Sequence, residues 1–212
     1  MSLADLRKTY TLGGLRRADL NPDPLAQFNQ WMQQALDAKL TEPTAMTLAT
    51  AGKTGRPSAR VVLLKGVDER GLLFFTNYAS RKAQELAENP NAALVLYWAE
   101  LERQVRIAGT VSKASREESG KYFQSRPRGH KLGAWVSNQS EIIASREVLE
   151  KRLAELEAKY PDDNVPLPPY WGGYILSPTE IEFWQGRPNR LHDRFRYIRQ
   201  SGGAWVIERL AP

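Results

Sequence analysis

TAMTLATAGKTGRPSARVVLLKGVDERGLLFFTN, residues 44–77, decides the fold class. Three apolar runs rich in β-branched and aromatic residues occupy 44–51, 58–67 and 72–77, and turn-rich stretches fill 51–57 and 68–71. Connections this short join antiparallel strands, because a parallel pair needs a crossover of roughly a dozen residues or more. Upstream, Asp23 and Pro24 open a helix in which Leu25, Phe28, Trp31, Met32, Ala35 and Leu36 recur at helical spacing until near Leu40. Downstream, 80–88 is a short helix stopped before Pro90, and 92–98 is a nearly continuous apolar run, hence a buried strand. Residues 103–113 alternate, with Val105, Ile107 and Val111 on one face and Gln104, Arg106 and Thr110 on the other. Ser115 and Glu118 mark a capping box for a helix that Pro127 stops, and 146–160 is a helix with Leu149, Leu153 and Leu156 on one face. A proline-rich, structureless linker at 161–169 precedes three further strands at 170–176, 190–199 and 204–210. The sum is mainly antiparallel β with inserted helices (α+β), a barrel or Greek key. Residues 1–20, polar and basic, are expected to be a mobile arm, and 21–212 a single domain.

Composition narrows the chemistry. The 212-residue chain has no cysteine and only two histidines, His130 and His192. Disulfides, thiolate metal sites, a cysteine nucleophile and a histidine-rich zinc cluster are therefore excluded. No G-x-G-x-x-G or Walker pattern occurs, and no G-x-S-x-G. MSLADLRKTY at the N-terminus carries no apolar stretch, and no run approaches the roughly 18 apolar residues of a membrane span, so a soluble, cytoplasmic protein without a membrane partner is expected. The net charge of +6 favours an anionic partner. The cations are scattered, without the Lys/Arg blocks of a nucleic-acid tail, which points to small phosphates.

Four motifs carry candidate chemistry. In SRK, Ser80 is an N-cap, and Arg81 and Lys82 lie in the first turn of a helix, where free N–H groups favour an anion; a capped surface helix with solvated charges is the alternative. In RVVLLK, strict alternation sends Arg60 and Lys65 to opposite faces, so both reach one ligand only if the strand bends or Lys65 sits at its end; otherwise it is an ordinary strand with charged ends. In KYFQSRPR, Tyr122 and Arg126 share a helix face and together suit a phosphate, or simply stack on the surface. In WQGRPNRLHDR, a strand would place Arg190, His192 and Arg194 on one face, over an electron-rich ring or facing solvent. Neighbouring His192 and Asp193 would then point apart, which argues against a hydrolase triad.

Taken together these motifs resemble the pyridoxine 5′-phosphate oxidase family. The resemblance runs from about Arg7 to the C-terminal ERLAP and also includes YTLGGLRRADL, EPTAMTLAT, LERQVRI, LGAWVSNQS and WGGY. It implies an FMN-binding split β-barrel and a homodimer with FMN in clefts touched by both chains. Arg60, Arg81 and Lys82 would meet the FMN phosphate, and Lys65 would reach both flavin and substrate. Phe75, Thr76 and Ser80 would line the flavin site, completed by Gln104, Gln139, Ser140, Trp184 and Arg194, some from the second subunit. Lys65, Tyr122 and Arg126 would hold the substrate phosphate, and Arg190 and His192 would cover the pyridine ring as the catalytic pair. Arg7 and Tyr10 resemble residues that close over the site. Where many relatives carry a phosphate-binding serine after SRPR, this chain has His130.

The implied reaction moves a hydride from the substrate C4′ carbon to flavin N5, with O2 as final acceptor and H2O2 as product. It converts pyridoxine and pyridoxamine 5′-phosphates to pyridoxal 5′-phosphate, with NH3 released from the amine, and needs no metal. No strong general base is evident, so catalysis is expected to depend on orientation. Two other readings share the fold: a different split-barrel flavin oxidoreductase, and a non-catalytic carrier of FMN or pyridoxal phosphate.

Overall fold

The 44–77 stretch folds as a run of antiparallel strands with one break. In the computed structural model, which describes residues 2–212, they are β1 (Ala45–Ala51), β2 (Pro57–Leu63), β3 (Gly66–Asp68) and β4 (Gly71–Asn77). The single strand expected over 58–67 is therefore two. Leu64 donates its N–H to Thr44 and Lys65 donates to Leu73, so the chain changes partner from β1 to β4 at this corner. Leu64 is buried, and its burial in the core drives the turn.

The sheet continues through β5 (Asn91–Trp98), β6 (Arg103–Lys113) and β7 (Trp171–Gln185) to β8 (Asp193–Arg199) and β9 (Trp205–Leu210), all pairs antiparallel. The order is β2-β1-β5-β6-β7-β4-β3, with β8 and β9 added beside β7. The two halves of β7 serve different neighbours: Trp171 to Leu176 pairs with β4, and Glu180 to Gln185 with β8. This is an open, split barrel. The expected strand over 170–176 thus runs on to Gln185, because Pro178 falls opposite Gly109 at a register shift, where a missing N–H is tolerated.

Another expectation is corrected at the last connection. The strand expected over 190–199 begins at Asp193. Pro188 to Arg190 form a tight helical turn in which Asn189 and Arg190 have φ of 57° and 64°. Arg190, His192 and Arg194 therefore do not share a strand face. The buried strand expected over 92–98 also has only one face covered, since Tyr97 is exposed.

Of the helices, α1 (Pro24–Asp37) is capped by Asp23, which accepts from the Leu25 N–H, and buries Phe28, Trp31, Met32 and Ala35 against the sheet. α2 (Arg81–Glu88) follows β4. α3 (Arg116–Gln124) is capped by Ser115, whose hydroxyl accepts from the Glu118 N–H; the Glu118 carboxylate pairs with Arg70 at 2.8 Å instead of closing a box. Pro127 does end that helix, but it also opens α4 (Arg128–Val136), which the sequence reading did not foresee. α5 (Glu147–Lys159) leans Leu149, Leu153 and Leu156 inward, each half-buried.

Two cores result. The larger lies between α1 and the sheet, around Phe28, Leu48, Leu94, Ile107, Ile181 and Phe183. The smaller gathers Phe123, Leu132, Val165 and Trp171 beneath α3 and α4. The 161–169 linker has no regular structure, yet it is pinned through its carbonyls. Gln124 donates to Val165, Lys131 to Asp163, Trp135 to Pro166 and Arg116 to Leu167. Arg128 closes the end of α5 by donating to Glu157 and Tyr160. The N-terminal segment is tied down at Thr11 and Leu12, which donate to Glu102, and at Leu15, which donates to Asp193.

Candidate active site

A cleft of about 890 Å³ opens between β2, β4, α2 and the α3–α4 pair. Its walls bring together Arg60, Lys65, Phe75, Thr76, Arg81 and Lys82 from the first half of the chain. Tyr122, Arg126, His130, Gln139 and Ser140 come from the second. Lys65 reaches it from the corner between β2 and β3, which resolves the facing problem posed by alternation in RVVLLK.

One end of the cleft is cationic. Arg60 donates to the Leu48 carbonyl at 3.2 Å and to the hydroxyls of Thr50 and Ser58, both at 2.5 Å. Glu85 lies behind it and accepts from Thr50, Ser58, Arg60 and Arg81. Burial pushes the Glu85 carboxyl up, but those four donors outweigh it and hold the group at about 2. Ser80 is fully buried and makes no side-chain cap for α2; its hydroxyl is 3.3 Å from the Lys82 ammonium. The cap expected from Ser80 comes instead from Ser140, which accepts from the Arg81 N–H at 3.3 Å. The Lys82 Nζ also donates to Gln139 at 2.5 Å and Thr76 at 3.1 Å.

Burial, and then the nearby Arg60 charge, lower the Lys82 ammonium to about 8, with Glu85 opposing. An unfolded lysine keeps its proton to about 10.4, so the ligand-free fold gains stability as pH rises from about 8 toward that value. A dianion bound beside Lys82 would restore the charge, so binding would take up a proton above pH 8. Affinity for such a ligand should therefore weaken through that range, by up to about tenfold per pH unit. Titration of the ligand at pH 7, 8 and 9 checks this, and Lys82→Met should flatten the profile.

The other end is aromatic and holds one half-buried cation. Phe75 stacks on Tyr122 at 4.1 Å and on Trp171 at 5.3 Å. The Arg126 guanidinium lies 4.9 Å from the Trp171 ring centre. Its Nη1 is buried and has no hydrogen-bond partner among the described residues. Burial depresses the Arg126 pKa, partly offset by Tyr122. A half-buried guanidinium with one buried, idle N–H donor in a cleft wall calls for an anionic acceptor.

The remaining expected residues lie elsewhere on the chain. Gln104 pairs in register with Tyr97 on β5 and Trp184 on β7, and Trp184 with Arg194 on β8. This row faces outward. Arg194 is engaged by the buried Glu182 at 2.9 and 3.1 Å. Tyr10 sets its ring edge against Trp184 and His192, each at 5.5 Å. His192 Nδ1 accepts from the Arg187 N–H at 3.1 Å, which leaves its proton on Nε2, and burial followed by the Arg190 charge lowers its pKa. Arg190 is exposed, and Arg7 lies exposed on the N-terminal segment. Within one chain, then, the RLHDR motif does not line the RVVLLK and SRK cleft. Glu85, Arg187 and Asp193 were not anticipated. Glu85 was readable as the i+4 partner of Arg81. Arg187, which donates to the Gly13 carbonyl at 2.5 Å, had no local signal.

The sequence matches the family model described as pyridoxamine 5′-phosphate oxidase over residues 32–160, and that of the pyridoxine 5′-phosphate oxidase C-terminal dimerisation region over 171–212. The chain belongs to the pyridoxamine 5′-phosphate oxidase family. It is 61% identical over 211 residues to the pyridoxine/pyridoxamine 5′-phosphate oxidase of Paraburkholderia phymatum, covering 100% of this chain and 99% of that one. The Nostoc punctiforme protein of the same name matches at the same identity and coverage. Among solved structures, PhzG from Burkholderia lata in complex with tetrahydrophenazine-1-carboxylic acid superposes with a TM-score of 0.87 at 36% identity, over 92% of this chain and 95% of that one. A pyridoxamine 5′-phosphate oxidase-related, FMN-binding protein from Nostoc punctiforme shares the fold, with a TM-score of 0.72 at 20% identity over 91% of this chain and 100% of that one. The family's dimerisation region corresponds here to β7, β8 and β9. Among the described residues no helix is long and apolar enough to cross a membrane, and no cluster of His, Asp or Glu is arranged to hold a metal.

Proposed function

We propose that the protein is an FMN-dependent oxidase that converts pyridoxine and pyridoxamine 5′-phosphates to pyridoxal 5′-phosphate. The observation that carries this reading is the pairing, in one cleft, of two separate anion sites across an aromatic wall. The Arg60–Arg81–Lys82 end fits the phosphate of FMN, and Arg126 with its idle Nη1 fits the phosphate of a substrate. FMN, when bound, supplies a two-electron acceptor for a hydride and hands the electrons to O2. The chain's residues bind and orient. Lys65, at the corner between β2 and β3, lines the same cleft and would reach both flavin and substrate, and Tyr122, held flat against Phe75, presents its phenol beside Arg126. His130 lines the same wall, and it donates to a phosphate best when protonated.

The protein acts, in this reading, as a homodimer. Val61, Leu63 and Tyr97 are exposed apolar residues on the outward face, continuous with the Gln104–Trp184–Arg194 row. A second copy covering this face would bring its Arg190 and His192 to the first copy's cleft, with Arg7 and Tyr10 closing over them. With its proton on Nε2, His192 is a donor toward the substrate and not a base. In this reading the reaction runs in the cytoplasm, where substrates whose phosphates keep them from crossing bilayers would be retained.

The 36% identical PhzG relative, seen with a phosphate-free acid, favours a second reading, oxidation of a non-phosphorylated ring. The Arg126 end of the cleft would then be unused. An absorbance spectrum of purified protein decides. Flavin bands bleached without air by pyridoxine phosphate and restored by air support the proposal. An absent flavin, or bands that only a phosphate-free acid bleaches, overturn it.

A further inference from the structure

Glu85 is an anion inside a site built for anions. Its side chain is 12% exposed and faces Arg60 on β2 and Arg81 on α2, while Lys82 stands beside them. One carboxylate oxygen takes Thr50, Ser58 and Arg60; the other takes Arg81 at 2.8 Å. It therefore ties α2 to β1 and β2 behind the cationic wall of the cleft. Three cations and one carboxylate leave two positive charges, which match the charge of a phosphate ester near −2.

We infer that Glu85 is a positioning residue that serves as a resident counter-anion, holding the Arg60, Arg81 and Lys82 cations in place without ligand and setting how tightly the cofactor phosphate is bound. Neither role requires Glu85 to touch the ligand. With the site empty, three clustered cations repel one another, and the carboxylate offsets that repulsion. With a dianion present, the cations are already compensated and Glu85 becomes a like charge beside it. The carboxylate thus stabilises the ligand-free fold and weakens phosphate binding, two effects of the same charge. This inference rests on the proposal that the cationic end holds the FMN phosphate.

Glu85→Gln separates the effects because the amide keeps the shape and removes the charge. The melting temperature of ligand-free protein should fall by several degrees, and saturating FMN should restore most of the loss. FMN should bind severalfold more tightly to the variant, while riboflavin, which lacks the phosphate, should bind as it does to the original chain. Glu85→Asp, which retains the charge, should show neither change, and so should Glu88→Gln, which removes a carboxylate three residues further along α2. Equal loss of melting temperature with and without FMN, or unchanged FMN affinity, would overturn the counter-anion role and leave only a structural one. Should Glu85→Gln fail to fold even with FMN, the role falls as well, because the ligand's own charge ought to rescue it. If the original chain fails to bind FMN at all, the functional proposal fails first, and the two failures are told apart.

Discussion

Arg126→Ala should lower kcat/KM for a phosphorylated substrate by about 10²–10³-fold while flavin stays bound. Two charge-assisted hydrogen bonds from a guanidinium to phosphate are worth about 3–4 kcal/mol together, and every 1.4 kcal/mol is a factor of ten. The loss should appear in KM more than in kcat, because the interaction is made in the ground state as well. Arg126→Lys keeps the charge but not the planar fork or the stacking on Trp171, and should recover only part. The same variant probes the shared site. Arg126 lines the cleft, whereas Arg190 lies on the exposed turn before β8. Mixing Arg126→Ala chains with Arg190→Ala chains should form dimers with one intact and one doubly damaged centre. About a quarter of the original activity should return if the two chains assort at random. No recovery after verified subunit exchange would mean that each chain's RLHDR motif serves its own cleft, or none.

Gly71→Ala should cost about 3 kcal/mol or more, enough to lower the melting temperature by roughly 10 °C or to prevent soluble expression. Gly71 has φ of 136°, in the region that glycine alone occupies readily. An added Cβ would stand 1.9 Å from the Leu176 carbonyl oxygen, a backbone atom in β7 that cannot swing aside. Relief requires prising β4 from β7, and β4 carries Phe75 and Thr76 into the cleft. Variant that does fold should therefore show weakened flavin binding along with lowered stability. A melting temperature unchanged within 2–3 °C would contradict the geometry.

Much of this architecture was legible because short turns leave few choices. AGKTGRP and DERG forced antiparallel neighbours, and the alternation of Val105, Ile107 and Val111 set the inward face of β6 correctly. What escaped reading depended on distant partners. The β2–β3 break comes from Leu64 entering the core, and the length of β7 comes from its pairing with both β4 and β8. α4 escaped because Pro127 signals a stop and a start with the same residue. At the site, every cation placed in the cleft sat in a recognisable motif. The separation of RLHDR from the cleft within one chain was not visible, since nothing in the motif fixes its place relative to RVVLLK and SRK. Glu85 was passed over because its role is set by Thr50 and Ser58, some thirty residues away.

The pinned linker has a consequence for how this family tolerates change. Gln124, Lys131, Trp135 and Arg116 grip carbonyl oxygens, which every amino acid supplies alike. Exchange of the other side chains between 161 and 169 should pass unnoticed, with four exceptions: Val165, Leu167 and Pro168, which pack inward, and Asp163, whose carboxylate pairs with the buried Lys131 at 2.9 Å. Inserting or deleting one residue shifts every oxygen past its donor and tilts the helices that present Tyr122 and Arg126. Natural variation here should alter the letters and conserve the count.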